Sequence, residues 1–219
     1  MRRYLAFALL TVLVLTLDGC AGKNKYENLP NPVATISLED GRQMRVELAV
    51  SCAPNTVANF VSLANSGFYD GMSFFRVMPG CLIQTGDPEE NGTGGPGYAI
   101  RGEFAENGYE GNTLSHVRGV ISMARLADDY DSAGSQFFIL QGSYPEYDGR
   151  YAAFGTIMDE QSLEVLDEIA LVTVDRGYSP LEKTYISAIR VDTKGYEYEP
   201  RTLELNREEE EDDESEQTE

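Results

Sequence analysis

Residues 33–50 read Val-Ala-Thr-Ile-Ser-Leu-Glu-Asp-Gly-Arg-Gln-Met-Arg-Val-Glu-Leu-Ala-Val, and their period of two decides the fold class. Ala34, Ile36 and Leu38 alternate with Thr35, Ser37 and Glu39, and Met44, Val46 and Leu48 alternate on the way back. Successive side chains of a strand point to opposite faces, so the pattern is a pair of half-buried strands. Asp40-Gly41 between them predicts a type I′ turn. Further out, Pro54 suits the first turn of a helix. Val57, Phe60, Val61 and Ala64 recur at helical spacing, and Gly67 stands where a C-cap belongs. Short apolar runs follow at Ser73–Val77, Leu82–Thr85, Val120–Ala124, Phe137–Leu140 and Tyr151–Met158, separated by Gly-rich loops. A second helix is predicted over Ser162–Leu171 and a last strand over Ile186–Val191. Many short strands with two helices predict a closed barrel, because closure removes exposed strand edges. One domain, 31–195, is expected.

The flanks read differently. Arg2 and Arg3 precede the apolar run Tyr4–Leu17, whose fourteen residues are too few to span a bilayer, which takes about 20. Residues 1–19 are therefore expected to be a signal peptide. They lead into Leu17-Asp18-Gly19-Cys20, which resembles a bacterial lipobox with Cys20 as the lipidated residue. Residues 20–30 then form a tether that reaches about 40 Å when extended. The expected location is extracytoplasmic and lipid-anchored, with plain secretion as the alternative. Residues 196–219 are expected to be an acidic, disordered tail. Glu208–Glu219 alone carries nine of the acidic residues and no base, and self-repulsion without apolar residues prevents collapse.

Composition excludes several functions. Apolar residues make up 42% of the 219, a globular proportion. With 17 Lys+Arg against 37 Asp+Glu, the net charge of −20 disfavours nucleic acid, whose phosphates need clustered bases. Three Cys and one His offer no zinc site. Gly92–Gly97 matches G-x-G-x-x-G literally, yet Asp87, Glu89 and Glu90 precede it and Pro96-Gly97 spoils the helix start that a dinucleotide requires. His116 beside Ser115 and Ser122 lacks a nucleophile-elbow setting and is expected to be structural. Asp128, Asp129 and Asp131 lack the Gly and closing Glu of a calcium loop and are expected to be a solvated turn.

Three blocks in order are specific: Phe74-Phe75-Arg76-Val77-Met78-Pro79-Gly80-Cys81-Leu82-Ile83-Gln84, Gly119-Val120-Ile121-Ser122-Met123-Ala124-Arg125, and Ser135-Gln136-Phe137-Phe138-Ile139 followed by Tyr147-Asp148-Gly149-Arg150-Tyr151. Together they resemble the cyclophilin family of peptidyl-prolyl cis-trans isomerases over about residues 31–193. The resemblance implies a closed eight-stranded antiparallel barrel capped by two α-helices. It also implies rotation of X-Pro bonds without metal or cofactor, in proline-containing polypeptides, by a chain expected to be a monomer.

By the same resemblance Arg76 is the catalytic arginine and Gln84 holds the substrate backbone. Cys81, Leu82 and Phe138 wall the proline pocket, with Cys81 standing where the family has Phe. Gly92, Ala124, Arg125, Leu126 and Gln136 line the groove, and Tyr151 stands where many members carry His. Glu146 and Tyr147 replace an aromatic-Leu pair at the rim. In sensitive members the Trp at the Glu146 position binds the inhibitor cyclosporin. The chemistry suits these residue types. Twisting a peptide bond breaks its resonance and localises a lone pair on the prolyl nitrogen, and an always-charged fork of donors favours that state over the planar one. Cys81 and Glu146 leave a second reading open, a proline-peptide binding or chaperone module with little turnover. A third, an acidic surface adhesin, leaves Arg76 unexplained.

Overall fold

In the computed structural model, residues 29–205 are described; the expected signal peptide, Cys20 and the acidic run from Glu208 lie outside them. Strands β1 (Val33–Leu38) and β2 (Gln43–Leu48) pair antiparallel, with Ile36 opposite Met44. Their apolar residues are buried on one face as the alternation requires. The turn between them is not type I′. Asp40 keeps an ordinary φ and only Gly41 is left-handed, at φ +90°. The Gly41 amide donates to Leu38 O and the Leu38 amide to Arg42 O, a type I turn closed by a bulge at the glycine. The Asp40 carboxylate accepts from the Arg42 amide at 3.0 Å and so secures the alternative.

Helix α1 (Pro54–Asn65) starts at its proline and ends before Gly67, whose φ of +83° lets its amide reach Ala64 O while Phe68 N reaches Leu63 O. Ala53 has no side chain to cap the first turn, so the cap comes from far away. The buried Glu103 carboxylate accepts from the Asn55 amide at 3.0 Å and the Thr56 amide at 2.7 Å. Burial pushes the Glu103 carboxyl up, and those same donors pull it down. Helix α2 (Glu160–Ala170) begins two residues before the expected start, because Asp159 caps it by accepting from Ser162 N at 2.9 Å.

Beyond α1 come β3 (Arg76–Met78), β4 (Leu82–Thr85), β5 (Tyr98–Ala99), β6 (Val120–Met123), β7 (Phe137–Leu140), β8 (Ala153–Ile157) and β9 (Ile186–Asp192). Eight strands form one antiparallel sheet in the order β3-β4-β7-β6-β8-β2-β1-β9. The sheet curls, α1 packs on β9 and α2 on β2, and Phe60, Tyr69, Phe137 and Phe154 meet in the core at centroid spacings of 5.2–5.5 Å. The expected closed barrel is not formed; the sheet is an open, curled half-barrel. The two edge strands are offset past each other. Val77 on β3 donates to Tyr178 O at 2.8 Å, so the loop before β9 takes that edge. The start of β9 faces residues that precede β3: Gly71 N donates to Ile186 O and Ile186 N to Met72 O, both at 2.8 Å, and Ser73 bridges to Tyr185 across the seam.

The expected tail also needs correction at its near end. Residues 196–205 lie on the domain: Tyr198 is buried, and Asn55 on α1 exchanges two hydrogen bonds with the Arg201 backbone at 2.7 and 3.0 Å. A short strand β10 (Leu203–Glu204) then pairs with β5, Leu203 opposite Ala99. The charge run that argued for disorder begins only at Glu208, whereas Tyr198 gives this stretch an aromatic ring to bury and Asn55 and β5 take up its backbone.

Candidate active site

Strands β4, β6 and β7 are buried on both faces, which explains why their apolar residues do not alternate with exposed polar ones. One face sends Val77, Ile83, Ile121, Met123, Phe137 and Ile139 into the main core. The other carries a second cluster of Cys81, Leu82, Val120, Phe138, Leu140 and Ala153, with Tyr144, Tyr147 and Tyr151 packed against it. Period two thus sorts one set of strands into a face toward the main core and a face toward the second cluster, which carries the candidate site.

At the edge of that second face, register places Arg76 on β3 opposite Gln84 on β4, and Gln84 opposite Phe138 on β7. A directional relay of hydrogen bonds results. Arg76 Nη1 donates to Gln84 Oε1 at 3.0 Å, Gln84 Nε2 donates to Gln136 Oε1 at 3.0 Å, and Gln136 Nε2 donates to Gly94 O at 2.9 Å. Each amide accepts on one side and donates on the other, so no orientation is left free. Among the described residues Arg76 has no carboxylate partner within 4.0 Å, unlike Arg42, Arg45, Arg118, Arg150 and Arg190. A half-buried cation is therefore held by a neutral amide, with donors left over for a ligand.

The apolar part adjoins it. Phe138 is 4% exposed, with Tyr151 edge-on at 5.7 Å and Tyr147 at 6.0 Å. Cys81 and Leu82 are buried in the same cluster. Tyr144, which sequence reasoning missed, stacks on Tyr147 at 5.6 Å and donates to Gly80 O at 3.1 Å. The neighbouring Cys81 thiol pushes the Tyr144 hydroxyl pKa up to about 12. Glu146 shares the tight turn 145–147 with Tyr147 and is exposed.

Behind Phe138 lies His116, 1% exposed and stacked on that ring at 6.4 Å. Its Nδ1 lies 2.9 Å from Asp148 Oδ1 and its Nε2 3.0 Å from Ser122 Oγ. The three have the order of a hydrolytic triad, but Ser122 is wholly buried and reaches no substrate. They act as a tie instead. The His116 amide also donates to Asp148, and Tyr144 N donates to His116 O at 2.8 Å, so the rim loop is anchored to β6. Burial holds the His116 imidazole below its ordinary range, against the upward pull of Asp148.

A cavity of about 770 Å³ extends from the relay; Gln84, Gly92, Ala124, Arg125, Leu126 and Gln136 all border it. The Gly92–Gly97 loop is built for close approach, since a Cβ on Gly94 would sit 2.0 Å from Asp87 Oδ1. No helix follows that loop; β5 does. Asn59, buried on α1, donates to Gly134 O at 2.7 Å and accepts from Tyr98 OH at 2.8 Å, so the helix fixes two walls. Arg125 borders the cavity but turns inward. Four hydrogen bonds run from its guanidinium to the carbonyls of Leu126, Ala127 and Arg150, and Tyr130, Tyr151 and Phe104 cage it at 4.6, 4.7 and 5.3 Å. Asp129 and Asp131 spend oxygens on backbone amides, and among the described residues no group of three His, Cys, Asp or Glu could hold a metal.

Known proteins resemble this chain in sequence and in fold. Residues 33–191 match the family described as Cyclophilin type peptidyl-prolyl cis-trans isomerase/CLD. Peptidyl-prolyl cis-trans isomerase B of Bacillus subtilis is 48% identical over 120 residues, 55% of this chain and 79% of that protein. A peptidyl-prolyl cis-trans isomerase of Synechococcus elongatus is 43% identical over 133 residues, 61% of this chain and 85% of the relative. A crystal structure of a Cryptosporidium parvum cyclophilin type peptidyl-prolyl cis-trans isomerase in the presence of the dipeptide Ala-Pro superposes with TM-score 0.63 at 30% identity, covering 73% of this chain and 98% of that one.

Proposed function

The chain belongs to the cyclophilin-type peptidyl-prolyl cis-trans isomerases, and from that premise we propose that Arg76 drives X-Pro rotation in polypeptides at an extracytoplasmic membrane surface. Proline packs its ring on the cluster of Leu82, Cys81 and Phe138 and brings its amide to the guanidinium. As the bond twists, the prolyl nitrogen gains a lone pair, and an Arg76 N–H donates to it. That bond exists only in the twisted state, which is the condition for lowering a barrier. Gln84 and Gln136 hold the guanidinium in place beforehand, so little reorganisation is needed at the moment of rotation.

The observation that carries this reading is the relay that starts at Arg76, an arginine with no carboxylate partner among the described residues, and runs through Gln84 and Gln136 to Gly94. The test is a cis-to-trans assay with the purified full chain on an X-Pro peptide. Acceleration abolished in Arg76→Ala supports it; tight binding without acceleration means a binding module instead.

The finer placement rests on sequence. A lipid on Cys20 and the tether to residue 30 would hold a monomeric domain near the membrane, where it assists folding of secreted or surface proteins. Fatty-acid labelling that is lost in Cys20→Ala supports the anchor, and unlabelled wild-type protein in the secreted fraction defeats it.

A further inference from the structure

The family match ends at residue 191, yet the cavity beside the relay is walled in part by Leu203, Glu204 and Leu205. Chain outside the matched domain thus returns to the domain's own groove. Its path is built: Asn55 clasps the Arg201 backbone and β10 pairs with β5, whose Tyr98 also borders the cavity. The arm brings apolar side chains. Leu203 and Leu205 are 41% and 50% exposed, and Leu126, which lines the same cavity, is 58% exposed. Scattered exposed leucines are ordinary, but three around one cavity are unsatisfied apolar surface gathered in one place. The cavity is continuous with Gln84 and Gln136, so whatever fills it lies along the same chain that presents its proline to Arg76. Residues 206–219 are no candidate to fill it, because they contain no apolar side chain.

We propose that Leu203–Leu205 forms the outer wall of a specificity subsite that receives a large apolar side chain from the polypeptide segment flanking the proline. The inference rests on the isomerase reading above. Its physical basis is ordinary: a leucine or phenylalanine there covers the exposed faces of Leu126, Leu203 and Leu205, whereas alanine leaves them wet.

The experiment uses the full chain and proline peptides that carry Ala, Leu or Phe at each of two positions on either side of the X-Pro pair. The wild-type protein is expected to favour Leu or Phe over Ala by about tenfold in kcat/KM at one position. In Leu203→Ser/Leu205→Ser that ratio falls to about twofold or less. A chain ending at Arg207 keeps it, which separates the arm from the acidic run. The readout is a ratio between peptides, and the melting temperature of each variant checks the fold. Equal discrimination in the double variant, no discriminating position in wild type, or a uniform gain on every peptide would each overturn the proposal; the last would make the arm a lid. If wild type turns over no peptide, the isomerase reading fails, and the same ratio read from peptide Kd values still decides the subsite.

Discussion

The relay predicts that Gln84 works through Arg76, and a double-mutant cycle tests this. Gln84→Leu keeps the volume but removes the acceptor for Arg76 Nη1 and the donor to Gln136, both at 3.0 Å. A hydrogen bond to a charged group contributes about 1.5–3 kcal/mol. Arg76 is half-buried, so water replaces part of the loss, and the lower end applies. At about 1.36 kcal/mol per decade, about 1.5 kcal/mol is roughly tenfold in kcat/KM. Arg76→Ala removes the donor itself and is expected to cost about 100-fold. Independent effects would multiply to about 1,000-fold in the double variant. Action through the arginine predicts that the double variant stays near 100-fold, because Gln84 then has nothing left to position. The assay is cis-to-trans relaxation of an X-Pro peptide, with thermal melts showing that each variant stays folded. A multiplicative double variant would refute the relay as a positioning device and leave Gln84 acting on the substrate alone.

Three further outcomes follow from the site and its supports. His116 is held neutral by burial, so the unfolded chain takes up its proton at a pH where the folded chain does not. Its contribution to stability is therefore complete above about pH 6.5 and is lost as pH falls through the lower folded value. Urea unfolding should show a smaller acid loss in His116→Gln than in wild type, and equal losses would count against the tie. Glu103→Gln takes away an anionic cap from α1 and is expected to cost about 1–2 kcal/mol, or roughly 3–6 °C in calorimetry; an unchanged Tm would show the cap to be redundant. Glu146 is exposed beside Tyr147, and Glu146→Trp restores an indole donor and ring at the rim. Cyclosporin should then bind about 30-fold tighter or more, and an unaltered Kd would show that the rim does not govern this ligand.

Much of the fold was legible in the sequence. Alternation in 33–50 specifies β1 and β2 because a strand's side-chain period is two whatever surrounds it, and the spacing of Val57, Phe60, Val61 and Ala64 specifies α1 because 3.6 residues close a helical turn. The resemblance carried by the Arg76, Ala124 and Phe138 blocks named candidate site residues, and the structure gathers three of them, Arg76, Gln84 and Gln136, into one relay. What escaped depends on partners distant in the chain. Glu103 caps a helix 47 residues away, Asp148 reaches His116 across 32 residues, and Leu203 lands beside Ala99. No local period encodes such meetings. Nor could strand patterns alone tell an open half-barrel from a closed one, since that turns on how β3 and β9 are offset at the seam. Local patterns are set by backbone geometry within a few residues and survive in one dimension. Closure, remote capping and the arm on the groove are set by which surfaces the folded chain brings together to bury, and that is decided only in three dimensions.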